Sequence, residues 1–265
     1  MTTVNDVYKF LNKLAPIEMK ADSDNVGFLV GCGESKVTKI VVALDITSDV
    51  ISESIEHEAQ LIVSHHPIIL SAIKSVTDSD LTGKKIVNML ANGLSAICMH
   101  TNLDAAVGGV NDALAGVAGI IGEAKLLTED NMLETGEVYS MGRVGYLESP
   151  CQMQEYLKKL KQGLGTNGIR YYDAGREVYK VAVMGGSGSD MFHHAVRHGC
   201  DTFVSADIKY HIFLEAKERG INLIDADHFC TENLVTPIIA EKLAEKFPHV
   251  QIMISDTHKQ AVSFF

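Results

Sequence analysis

Three short runs of branched and small apolar residues, each closed by polar side chains, order the first half of the chain: VTKIVVALDIT, AQLIVSHH and LSAICMHTNLD. Stretches of helical spacing separate them, predicted over 48–58 and 81–92, with a further helix over 109–117. Strands apolar on both faces belong inside a sheet covered on both sides, and helices between them are the crossovers that parallel neighbours require. The spacing therefore predicts βαβ units and a mostly parallel sheet.

The pattern changes beyond Leu127. TGEVYSMGRVGYLE alternates like antiparallel strands, and CQMQEYLKKLKQGL reads as an amphipathic helix after Pro150. VYKVAVMGGSGSDM is a strand running into a glycine-rich turn, and CDTFVSADIKYH, IFLEAKERG and INLIDADH continue as strand, helix and strand. CTENLVTPIIAEKLAEKF has helical spacing, with Pro237 tolerable only near a first turn or at a kink, and the last segment returns as a strand. The expected fold class is α/β. Two closely packed α/β domains are expected, with mixed, largely parallel sheets and helices on the faces. Residues 1–127 plus 228–265 are expected to form the first domain and 128–227 the second.

A net charge of -11 over 265 residues disfavours a broad grip on nucleic acid or anionic membrane. No apolar run approaches the roughly 18 residues of a membrane span, and MTTVNDVYKFLNKL lacks the basic-then-apolar order of a signal segment, so cytoplasm is the expected compartment. The five cysteines are scattered without a CxxC pair and read as buried small apolar residues, Cys230 alone lying close to the chemistry below.

Functional groups of open parallel sheets collect beyond the carboxyl ends of the strands. Asp45, His65 and His66, and the stretch His100 to Asp104 all fall there. Adjacent residues of a strand point to opposite faces, so His65 and His66 share a site only where the chain leaves the strand, an exit that Pro67 favours. Two imidazoles so placed suit two metal ions better than one. Asp104 adds a carboxylate, and His228 and Glu232, four apart in DADHFCTEN, share a helix face, from which the carboxylate can bridge two ions. Imidazole and carboxylate without thiolate suit two divalent ions with open positions (zinc, iron, manganese, cobalt or nickel) and point to metal-activated hydrolysis rather than a closed structural zinc.

SDNVGFLVG, SHHP, HTNLDAAVGGVND, MGRVGYL, GGSGSDM, SADIKYHIFLEA and LIDADHFCTE, in this order, resemble the GTP cyclohydrolase 1 type 2 homologues, also called dinuclear-metal-centre hexameric proteins. The resemblance runs from about Val4 to Phe265. It implies a two-domain subunit in a ring-shaped homohexamer with a pair of metal ions in its cavity. His65 and His66 would then be split between the ions, with Asp104 and His228 completing their ligands and Glu232 bridging. Departures fall beside the ligands: Ser23 stands where the family has Trp, Asp227 where Gly precedes the late histidine, and Ala206 where Gly precedes DIKYH. The 136–178 segment leaves no room for the inserted domain of longer members.

His100 and Asn102 are candidates for orienting a ligand or the substrate, and Lys209 and His211 for lining the cavity and meeting an anion. Asp45 reads as a helix cap with a smaller claim to ligation, and the His193, His194 and His198 cluster lacks a carboxylate partner. GGSGSDM reads either as a phosphate cradle or as a tight strand-to-helix turn. The leading function is a metal-dependent hydrolase acting on a small molecule, with GTP as the nucleotide the resemblance implies. A phosphoesterase and a non-catalytic metal-binding hexameric scaffold are the alternatives. Direct nucleic-acid binding and membrane association are not expected.

Overall fold

A computed structural model describes residues 1–122, 124–128, 131–136 and 138–265. In chain order its first elements are α1 (Val4–Leu14), β1 (Gly27–Val30), β2 (Lys39–Ala43), α2 (Ser48–Glu56), β3 (Leu61–Ser64), α3 (Leu81–Ala91), β4 (Ser95–Cys98), α4 (Thr101–Ala105) and α5 (Val110–Val117). Next come β5 (Lys125–Leu126), β6 (Asn131–Met132), β7 (Val138–Tyr139), β8 (Arg143–Cys151), α6 (Met153–Leu164), β9 (Arg170–Tyr172) and β10 (Val178–Ser187). The chain ends with α7 (Phe192–Arg197), β11 (Thr202–Ala206), α8 (Tyr210–Arg219), β12 (Asn222–Asp225), α9 (His228–Glu232), α10 (Val235–Lys246) and β13 (Gln251–Ile254). It divides into two compact units, Met1–Leu103 with Val235–Lys259, and Asp104–Leu234 with Gln260–Phe265.

The first unit holds a five-stranded sheet in the order β1-β4-β3-β2-β13. Its last four strands are mutually parallel, and β1 closes one edge antiparallel to β4. Every residue of β3 and β4 is buried, which is why these segments read as unbroken apolar runs. Ile62, Val41 and Ala96 meet Val50, Ile51, Ile86 and Met89 in one core. The helices begin where the sequence supplies acceptors: Thr3 and Asp6 form a capping box for α1, and Thr47 and Asp80 cap α2 and α3. The strand expected through Asp104 ends earlier, at Cys98, and Thr101 begins a helix instead. Asp24 explains the change, because its carboxylate accepts the Thr101 N–H at 3.1 Å and so supplies an acceptor at the helix start.

The second unit holds a six-stranded sheet in the order β5-β8-β10-β11-β12-β9. β10, β11 and β12 are parallel, and the flanking pairs are antiparallel. Alternation along the strands builds two cores. Val181, Val183, Val204 and Ile224 pack with Leu114, Leu157 and Leu160 on one face, while Ala182, Met184, Phe203 and Leu223 pack with Phe192, Ala195, Ile212 and Ala216 on the other. α5 and α9 pack on β10, so 104–127 and 228–234, assigned from sequence to the first domain, lie in the second unit. In the stretch read as antiparallel strands, β6 pairs with β7 and β8 joins the main sheet, while Glu137 lies outside the described residues.

The single late helix expected from sequence is two, α9 and α10, with Pro237 in the first turn of the second. Proline lacks the N–H that would continue the helix back through Asn233, but a first turn needs no such donor. Among the described residues, no helix is long and apolar enough to cross a membrane.

Candidate functional site

His65 and His66 follow β3 directly, and their N–H groups still bond across to the Ala43 and Leu44 carbonyls at 3.3 and 2.8 Å. Their imidazoles nevertheless converge, with ring centroids 5.0 Å apart. His100, two residues past β4, joins them at 5.2 and 5.4 Å from the two rings. Each ring is held at Nδ1: His65 donates to the Met99 carbonyl at 2.8 Å, His66 to Asp45 Oδ1 at 2.7 Å and His100 to Asp24 Oδ1 at 2.8 Å. An acceptor at Nδ1 fixes the proton there and leaves a lone pair on Nε2. The candidate ligand atoms of the three residues lie within 4.8 Å of one another.

The expected cap role of Asp45 falls to Thr47, while Asp45 lies between His66 and His258, whose Nε2 is 2.9 Å from Oδ2. His258 is held there by the segment before it. The buried Glu53 carboxylate accepts from Ser255 Oγ, the Asp256 N–H and Thr257 Oγ1, the last two at 2.8 Å. Burial pushes Asp45 up, but the hydrogen bonds from His258 and His66 outweigh it and hold the carboxyl well below its usual range. Asp24 is held low in the same way by His100 and Thr101 against its burial.

In the second unit Glu232 is buried, with its ligand atom within 4.8 Å of that of Asp104, and Oε2 is 3.0 Å from His228 Nε2. His228 Nδ1 is held by Asp207 Oδ2 at 2.7 Å, the same arrangement as in the first unit. Burial disfavours the charged ring, but Glu232 and Asp207 raise His228 to about 9, so a divalent ion would compete with a proton for Nε2. Asp227, the departure noted from sequence, sits at φ 78°, a conformation that favours glycine. Its side chain accepts the Cys230 N–H at 3.0 Å and so caps α9.

Two buried side chains position Asp104. Asn111 donates Nδ2 to the Asp104 carbonyl at 2.9 Å and to the Met141 carbonyl, and accepts the Gly185 N–H at 2.9 Å. Arg143, 1% exposed, donates to the Ala105 and Ala106 carbonyls at 3.2 Å, to those of Ser140 and Gly142, and to Asp112. GGSGSDM is the tight strand-to-helix turn, set later than its first glycines: β10 runs through Gly185 and Gly186 to Ser187, Gly188 alone separates it from a 3-10 turn over Ser189–Met191 that leads into α7, and Gly186, at φ 62°, leaves the space that Glu232 fills.

Asn102 is buried and donates to the Ala15 carbonyl at 2.7 Å, while Lys209 and His211 lie exposed at the start of α8. His193 lies 3.4 Å from Glu215 and His194 stacks its ring against Arg197, so a guanidinium occupies that cluster. Burial and Asp227 push the Cys230 thiol up to about 11. The residues missed from sequence are Asp24, Asp207, Asn111, Arg143 and His258. Asp24, Asn111, Arg143 and Asp207 lie inside the quoted motifs and His258 outside all of them, and neither position says anything of a partner far along the chain.

The donor set fits a divalent cation. Imidazoles with fixed tautomers on one unit, and an imidazole between carboxylates on the other, are nitrogen and oxygen ligands of the kind such ions take. The fold and these side chains thus define an α/β protein with groups that could hold a metal ion. The family model described as Duf34/NIF3 (NGG1p interacting factor 3) matches residues 2–261, and the chain belongs to this family. It is 34% identical to a protein of Clostridium perfringens named GTP cyclohydrolase 1 type 2 homolog, covering 98% of this chain and 99% of that one. A Helicobacter pylori protein named GTP cyclohydrolase 1 type 2 is 30% identical over 92% of each chain. Among solved structures, a Bacillus cereus protein related to NIF3 superposes with a TM-score of 0.92 at 21% identity, covering 100% of this chain and 99% of that one.

Proposed function

We propose that His65, His66, Asp104, His228 and Glu232 hold two divalent ions, and that the loaded protein is a hydrolase of a small-molecule, nucleotide-type substrate. The observation that carries this reading is the oxygen acceptor at Nδ1 of each candidate histidine, which leaves Nε2 as the ligand atom, at His228 once an ion displaces the proton shared with Glu232. Glu232 stands within reach of both Asp104 and His228, as a bridging carboxylate should. Divalent ions there would supply electrophilic polarisation and an acidified water, the requirements of hydrolysis at neutral pH. The chain's own part is to orient the ligands through Asp45, Asp207 and Met99 and to keep Glu232 buried. The names of the relatives make GTP the first substrate to test, with hydrolytic opening of the purine imidazole ring at C8 and loss of formate.

The test is metal content followed by turnover. Two ions per chain and hydrolysis that disappears in His66→Ala and Glu232→Gln are expected; fewer than two ions after loading overturns the dinuclear centre. Full metal loading without turnover on nucleotides, pterin precursors and phosphoesters would replace the enzyme by a metal-holding scaffold. A homohexamer is part of the same proposal. It is supported by exposed apolar side chains along one stretch of the first unit, Leu70, Val76, Leu81, Val87 and Leu90, which suit a contact between copies. Light scattering should give six times the mass of one chain.

A further inference from the structure

We propose that His100 is a metal ligand, and that His65, His66 and His100 form a three-imidazole site able to hold one divalent ion without the carboxylates of the second unit. The inference goes beyond the dinuclear reading, which gives His100 no metal.

Three observations carry it. First, the candidate ligand atoms of these residues all lie within 4.8 Å of one another, close enough to surround an ion bound at the ~2.0–2.1 Å typical of zinc–imidazole with small side-chain adjustment. Second, all three rings are fixed in the same sense, each donating Nδ1–H to an oxygen acceptor, so each offers Nε2. Nothing in a merely structural histidine cluster requires three matching tautomers. Third, the charge is provided for. Three neutral imidazoles leave a dication uncompensated, and Asp45 and Asp24 place a carboxylate behind two of them. Carboxylates so placed raise the basicity of the imidazole and fix its plane. Three nitrogen donors with an open fourth position are the ligand pattern of catalytic rather than structural zinc.

The scaffold around the three rings is rigid. His65 is 1% exposed and its acceptor is backbone. Asp24 is tied to α4 through Thr101 and so fixes His100 to the start of that helix. With the ligands of the second unit removed, one equivalent of metal should therefore sit on these imidazoles alone.

The experiment uses the full chain carrying Asp104→Asn, His228→Gln and Glu232→Gln, which removes the ligands of the second unit, loaded with cobalt(II). One cobalt per chain, with three imidazoles counted by X-ray absorption, is expected. His100→Asn in the same background keeps a donor for Asp24 but lacks Nε2, and should weaken cobalt binding by more than about 100-fold, beyond the 10–100-fold typical for loss of an outer partner. Thermal melts of the metal-free variants show whether each is folded before its affinity is read. No cobalt in the folded triple variant, or equal affinity with and without His100→Asn, overturns the site. The dinuclear centre is tested separately: two ions in wild type and an unchanged pair in His100→Asn would leave it standing and sink the proposal. One ion in wild type, lost in His100→Asn, would do the reverse.

Discussion

A Cβ on Gly186 would lie 1.9 Å from Oε1 of Glu232 and 3.2 Å from Nε2 of His228. The glycine is therefore the floor on which both candidate ligands of α9 rest, and its φ of 62° excludes a side chain on backbone grounds as well. Gly186→Ala should cost about 1–3 kcal/mol of stability and lower the bound metal, because Glu232 must move. Urea melts read the first effect and metal analysis the second. Unchanged metal content in a folded Gly186→Ala protein would contradict the role given to Glu232.

Asp45 orients His66 through Nδ1, and an amide in its place is a poorer acceptor. Asp45→Asn should weaken metal binding about 10–100-fold, measured by competition with a chromogenic chelator. His258→Ala, one contact further out, should act in the same direction by less.

Glu53 ties the segment after β13 to α2, and its pH dependence has a definite sign. Burial pushes its carboxyl up, but Ser255, Asp256 and Thr257 outweigh burial and hold it below its ordinary value of 4.5. A depressed folded pKa adds stability above the unfolded value, and that contribution is lost as pH falls through the folded one. Glu53→Gln should therefore be less stable than wild type by about 1–3 kcal/mol at neutral pH. The gap should close on acidification below 4.5. A gap that stays constant over that range would mean that the charge of Glu53 contributes nothing.

Arg143 is a buried cation satisfied by four carbonyls and Asp112. Arg143→Ala strips all of these at once and should cost about 3–5 kcal/mol. Asn111→Ala should cost about 1–3 kcal/mol and also loosen Asp104. Chemical denaturation checks both; a loss below 1 kcal/mol for Arg143→Ala would show that water replaces its contacts.

Much of the fold was legible because buried strands and amphipathic helices write their periods into the sequence. β3 and β4 were readable as apolar runs, and Pro237 as a first turn or a kink, of which the first turn of α10 is the one found. What escaped was set by residues distant in the chain: α4 begins where it does because Asp24 meets Thr101, and α5 belongs with β10 because of packing that no local pattern encodes. The same holds at the candidate site. His65, His66, Asp104, His228 and Glu232 announce themselves by type and spacing, and the family resemblance singled out the same five. Asp207, Asn111 and His258 are ordinary residues whose role lies only in what they touch.

β13, the fifth strand of the first sheet, pairs with β2 although more than two hundred residues separate them. A chain emerging from the ribosome can complete most of the second unit while the first still lacks its edge strand. The contact of His258 with Asp45, the residue that holds His66, comes later still. The histidines made early thus acquire their final support among the last steps of synthesis, which delays a fully formed cation site until the surrounding protein is nearly whole.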